Sequence, residues 1–145
     1  MIANYLTAHQ IQFCPSVATW QAAIQLAAQP LLQNQTINSQ YIDAIIQNVY
    51  TNGNYFILLP EIAMAHARPE NGSLKNGMSF LKLTQAVFFP RQTPVKIIFV
   101  IAGENNAAHL QLIEALADFF SNSTLTEQLL SVSNKKDLLH LIEQF

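Results

Sequence analysis

The chain has 145 residues and a mass of 16.2 kDa, with half of its residues apolar, 11% charged, a net charge of −2 and a pI near 6.0. That is enough apolar surface for one domain, spanning 1–145, with a real core, and too little positive charge for a phosphate-backbone footprint, so no nucleic acid partner is expected. The opening "MIANYLTAHQ" lacks a cationic leader and no run approaches the roughly 18–20 uninterrupted apolar residues that span a bilayer, so a cytoplasmic protein without direct membrane insertion is expected. Cys14 is the only cysteine, which excludes an internal disulfide and a thiol-based metal cluster; it reads as a small buried apolar residue.

In chain order, "IQFCPS" (Ile11 to Ser16) predicts a short strand closing on a turn. Ser16 then caps a helix in which Trp20, Ile24 and Ala27 or Leu31 recur at helical spacing, and Pro30 marks its end. A second helix fits "SQYIDAIIQNVYTNG", with Ser39 as N-cap, an apolar stripe of Tyr41, Ile45, Ile46 and Val49, and Gly53 just past the C-terminus. Short apolar runs follow at Tyr55 to Leu59, Ile62 to Ala65 and Met78 to Leu83, then "VKIIFVIAG" from Val95 to Gly103, whose β-branched continuity marks a strand covered on both faces. Helices return at Asn106 to Phe120, Thr124 to Val132 and Asn134 to Gln144. The expected architecture is α/β, a layered sheet with helices packed on both faces.

The stretch "MAHARPENG" carries the chemistry of interest. No Lys or Arg occurs before Arg68, which lies two residues after His66. His66 follows an apolar run and precedes turn formers, so it belongs at a strand end or in a rim loop, where open α/β sheets place ligand sites. Pro69 keeps Arg68 out of the helical region and stiffens the loop. A neutral imidazole is a competent nucleophile near pH 7, and a guanidinium on the same face of an extended segment can bind phosphoryl oxygens. Glu70 either orients the second imidazole nitrogen or points into water. The plain alternative, that His66 is an ordinary loop histidine and "ARPENG" a turn, stays open on residue types alone.

His109 falls in the first turn of the Asn106 helix, with Asn106 as N-cap, where free N–H groups attract anions and disfavour a protonated imidazole. It also shares a helical face with Ile113, Leu116 and Phe120, which suits a core-edge histidine equally well. His9 and His140 read as surface or core-edge residues. Phe88, Phe89 and Pro90 in one loop suggest either a docking surface or a core closure.

Other site classes fail on the residues present. There is no H-x-x-x-H, no C-x-x-C and no carboxylate cluster with ligand spacing, so no metal and no cofactor are expected. No G-x-S-x-G elbow occurs, and Gly72 and Gly77 mimic P-loop spacing but Met78 stands where lysine is needed. Cys14 has no basic neighbour to stabilise a thiolate.

"YIDAIIQNVYTNGNYFILLPEIAMAHARPENGSLKNGMSFLKL" followed by "VKIIFVIAGENNAAHLQLIEALADFF" resembles the EIIA domain of the bacterial phosphotransferase system, in the mannitol/fructose superfamily and nearest its ascorbate-type branch. The likeness runs from about Tyr41 to Phe120. It implies a central mixed β-sheet flanked by helices in three layers. It also implies that His66 accepts a phosphoryl group from phospho-HPr and passes it to an EIIB component for sugar uptake through a membrane permease, with His109 as the second active-site histidine. A homo-oligomer is compatible with it. So is a regulatory module that controls a partner according to phosphorylation state, or a degenerate member that has lost transfer. Two departures stand out. Ala65 occupies the position where the family usually has proline, which leaves the loop less rigid and transfer slower at most. Asn48 matches the position of an arginine in mannitol-type members, which leaves Arg68 as the substitute cation.

Overall fold

The computed structural model describes residues 2–145. Four strands, β1 (Ile11–Cys14), β2 (Glu61–Ala65), β3 (Gly77–Phe89) and β4 (Thr93–Ala102), form one sheet in the order β1-β3-β4-β2. β1 runs parallel to β3 and β2 parallel to β4, while β3 and β4 are antiparallel and joined by the short turn at 90–92, so the sheet is mixed, as expected. This pairing directs the C-terminal ends of β2 and β4 and the start of β3 to one rim.

Five helices cover both faces: α1 (Trp20–Gln33), α2 (Ser39–Asn52), α3 (Asn106–Phe120), α4 (Ser123–Ser131) and α5 (Lys135–Glu143). The period of two along the strands divides the core. Ala63, Ala65, Leu81, Leu83, Ile98 and Val100 pack against α1 and α2 with Ile24, Leu31, Tyr41 and Ile45. Ile62, Met64, Phe80, Ile97, Phe99 and Ile101 pack on the opposite face with Leu112, Leu116, Leu129 and Leu138 from α3, α4 and α5. Strands loaded on both faces explain the uninterrupted apolar run of β4.

Several boundaries differ from the sequence expectation. The N-caps are Thr19, Asn38 and Asn105 rather than Ser16, Ser39 and Asn106; each has extended backbone angles and a side-chain oxygen that accepts from an N–H three residues on. Gly53 does end α2, at φ 72°. Tyr55 to Leu59 forms no strand: it turns back so that the Phe56 carbonyl accepts from the Met64 N–H and covers the outer edge of β2. Cys14 is half-buried at the end of β1. Phe89 closes the core against Trp20 and Phe56, whereas Phe88 faces solvent.

Pro30 lies inside α1 instead of ending it. A proline cannot donate to the carbonyl four residues back, here that of Leu26. The Gln12 side chain, reaching over from β1, donates to that carbonyl at 2.7 Å, and the Ser79 hydroxyl on β3 donates to the neighbouring Ala27 carbonyl at 2.6 Å. Two sheet side chains thus reconcile the helix with its proline and fix α1 on the sheet. Gln12→Ala is expected to cost about 1–2 kcal/mol in urea denaturation, and clearly less in a Pro30→Ala background, where a restored N–H takes over the Leu26 carbonyl. Equal costs in both backgrounds would contradict this pairing.

Candidate functional site

His66 is the first residue after β2, and His109 lies one turn into α3, which begins soon after β4 ends. Because β2 and β4 are parallel neighbours, both side chains arrive at the same rim: the ring centroids are 5.2 Å apart with the planes at 61°. The approach depends on Gly103. A Cβ there would lie 2.5 Å from the backbone N and Cα of His109, so only a glycine lets α3 pass this close to the strand end. The Asn76 side chain, which accepts from the Glu104 N–H at 2.9 Å, ties the entry of β3 to the same corner.

The His66 ring is held by its own strand. Nδ1 lies 2.7 Å from the Met64 carbonyl, an acceptor only, so Nδ1 carries the proton and the lone pair is on Nε2. Burial holds the His66 pKa below its ordinary 6.5, the Met64 contact opposing in part, so the ring is neutral at pH 7. His109 is pushed down to about 4, by burial first and by its proximity to His66 second. Its Nδ1 is sealed inside without a hydrogen-bond partner among the described residues. His109 is therefore half-buried at the edge of the core, with its ring against that of His66.

The peptide that follows His66 is gripped at both polar ends. Tyr55 donates to the His66 carbonyl at 2.5 Å, and the Ala67 N–H of the same peptide unit donates to the Tyr41 hydroxyl at 3.2 Å. Tyr41 in turn donates to the Ile101 carbonyl of β4 at 2.6 Å, and burial raises its pKa far above the usual phenol range. The Tyr55 ring meets the imidazole edge-on at 5.6 Å.

Around the histidines is an open depression of about 470 Å³ lined by Asn48, Asn52, Tyr55, Arg68, Asn71 and Asn106. Arg68 is exposed on its wall and is the one Lys or Arg side chain in the lining, with Asn48 neutral. Glu70 is exposed and lines the neighbouring hollow, so the Met64 carbonyl, and not Glu70, orients the imidazole. His9 and His140 are exposed and far along the chain from this rim. Among the described residues no cluster of three or more His, Cys, Asp or Glu side chains could hold a metal ion, and no helix is long and apolar enough to cross a membrane.

Sequence reasoning missed the two tyrosines. Tyr41 read as one member of an apolar stripe, yet a buried phenol needs a partner, and that requirement was a signal for it. The asparagines carried no signal, because nothing in their spacing distinguishes a depression wall from a turn.

The family model for the phosphoenolpyruvate-dependent sugar phosphotransferase system, EIIA 2, matches residues 4–145. The chain is 36% identical to the mannitol-specific cryptic phosphotransferase enzyme IIA component of Escherichia coli K12, over 99% of this chain and 98% of the relative. It is 28% identical to the ascorbate-specific EIIA component of the same organism, over 87% of this chain and 84% of that one. The solution structure of the mannitol-specific cryptic enzyme IIA of Escherichia coli superposes with a TM-score of 0.93 at 36% identity, covering all of both chains. With the family model spanning nearly its whole length, the chain belongs to the EIIA 2 family of the sugar phosphotransferase system, and is a phosphotransferase component of that system.

Proposed function

We propose that His66 is the phosphoryl acceptor of this component, with Nε2 as the attacking atom. The observation that carries the reading is the Nδ1 contact to the Met64 carbonyl, which leaves the Nε2 lone pair free beside a second imidazole. The Nε2 lone pair attacks the phosphorus of a donor phosphohistidine, here that of HPr. A new N–P bond forms as the donor's N–P bond breaks, and the donor ring recovers its lone pair. The proton stays on Nδ1, hydrogen-bonded to the Met64 carbonyl throughout, and that bond stabilises the positive charge the ring acquires. The reverse chemistry then delivers the group to the nucleophile of an EIIB component, which phosphorylates the sugar carried by a membrane permease.

His109, with Nδ1 sealed and unpartnered among the described residues, holds its proton on Nε2 and from there donates a hydrogen bond to a phosphoryl oxygen. Arg68, exposed two residues from the acceptor and lining the same depression, swings over the group. Such transfers need positioning and charge neutralisation more than covalent chemistry, which suits an open rim that two partners visit in turn. The curated relatives carry both mannitol and ascorbate in their names. Sugar selection belongs to the permease, not to this depression, and a protein acting between two partners works in the cytoplasm.

Incubation with phosphorylated HPr is expected to place one acid-labile phosphate per chain, absent from His66→Ala; stoichiometric labelling of that variant would defeat the assignment. Arg68→Ala is expected to slow transfer about tenfold or more while changing stability by no more than about 0.5 kcal/mol, as for exposed positions generally; a large fall in thermal midpoint would make Arg68 structural. Acid titration supplies a third check. Both imidazoles have folded-state pKa values below the ordinary 6.5, so the unfolded chain binds more protons below that pH. Their contribution to stability is complete above about pH 6.5 and is lost as the pH falls toward about 4. The urea midpoint should therefore drop across this window, and drop less in His109→Gln; parallel curves for the two proteins would contradict the buried, neutral His109.

A further inference from the structure

The amide unit joining His66 to Ala67 has its carbonyl bonded by one tyrosine and its N–H by another. We propose that Tyr41 and Tyr55 form a hydroxyl clamp that sets the direction of the His66 imidazole and its distance from His109, and so acts as the positioning device of phosphoryl transfer. The proposal rests on the phosphocarrier reading above.

Three independent points fix the imidazole. The Met64 carbonyl holds Nδ1 at 2.7 Å, which constrains the ring's rotation but not the backbone that bears it. Tyr55 fixes that backbone by its 2.5 Å bond to the His66 carbonyl and supports the ring with its edge at 5.6 Å. Tyr41 fixes the other end of the same amide, and its hydroxyl proton goes to Ile101, two residues before Gly103 and on the strand that leads into α3. One buried oxygen thus joins the acceptor's amide unit to the strand that places His109. The roles of the two phenols differ. Tyr41 is wholly buried and spans two strand ends, whereas Tyr55 lines the open depression beside Asn48, half-buried there so that its pKa is raised.

An in-line transfer between two imidazoles tolerates little misplacement; about 1 Å can cost on the order of a hundredfold in rate. Neither tyrosine needs to touch the phosphoryl group. Each acts by removing orientations of His66 from which Nε2 cannot reach the donor phosphorus.

The test uses Tyr55→Phe in the full chain, which keeps the ring and its packing on Phe56 and removes only the hydroxyl. The rate of labelling by phosphorylated HPr is expected to fall about tenfold with the affinity for HPr unchanged. The ring-nitrogen NMR signals of His66 are expected to report a single Nδ1–H form in the parent protein and to move in the variant toward the averaged values of a mobile imidazole, and its pKa should rise toward 6.5. Tyr41→Phe should shift the same signals of both His66 and His109, together with a lower thermal midpoint. Labelling of Tyr55→Phe at the parent rate would overturn the clamp, and so would slower labelling with unchanged His66 ring signals. If the parent protein takes no phosphate from HPr, the phosphocarrier reading fails instead, and the ring signals of the two variants alone decide whether the clamp orients His66.

Discussion

The parallel pairing of β2 with β4 is the constraint on which the rest of this molecule depends. It carries two chain segments, more than thirty residues apart, to one end of the sheet, and with them His66 and the start of the helix bearing His109. The antiparallel β3 between them in the sequence supplies the return path, and its first residue lies at the same rim. Gly103 sets the final approach, since any side chain there would drive α3 outward from the strand end. The core on both faces gives this arrangement its stiffness: strand residues alternate between the α1–α2 layer and the α3–α5 layer, so a register slip of one residue would reverse every inward side chain.

Within that frame the electrostatics favour a base over an acid. The depression is walled by asparagines and a tyrosine, with Arg68 as its one cation, and burial disfavours protonation of both histidines. An imidazole kept neutral is an imidazole with a lone pair available at neutral pH. In the proposed reading the compensating charge comes from the exposed Arg68 guanidinium, not from a buried one that would raise the cost of the empty site. Such a site suits a group that is received and given up in quick succession, because tight binding of the phosphoryl group would slow its departure.

Much of this was legible in the residues. The β-branched run of β4, the stripe of α2 and the turn chemistry after His66 each gave the right element, and the resemblance around "MAHARPENG" gave the family. What escaped had a common physical cause: contacts made between elements distant in the chain. Pro30 read as a helix end because its remedy, Gln12, sits on another strand. Tyr55 to Leu59 read as a strand because its composition is apolar, although the segment serves to cover an edge. The caps were displaced to neighbouring polar residues because Thr19, Asn38 and Asn105 each sit in runs where several side chains could serve. The hydroxyls that bond the His66–Ala67 amide come from α2 and from the turn after it, and no local pattern announces them.

The most direct test of the central claim is nitrogen and phosphorus NMR of the chain after phosphorylation by phospho-HPr. A nitrogen–phosphorus coupling at Nε2 of His66, with the His109 ring signals displaced as it bonds the incoming group, is the result this account predicts. Coupling at Nδ1, phosphate on another residue, or His109 signals that do not respond would contradict it.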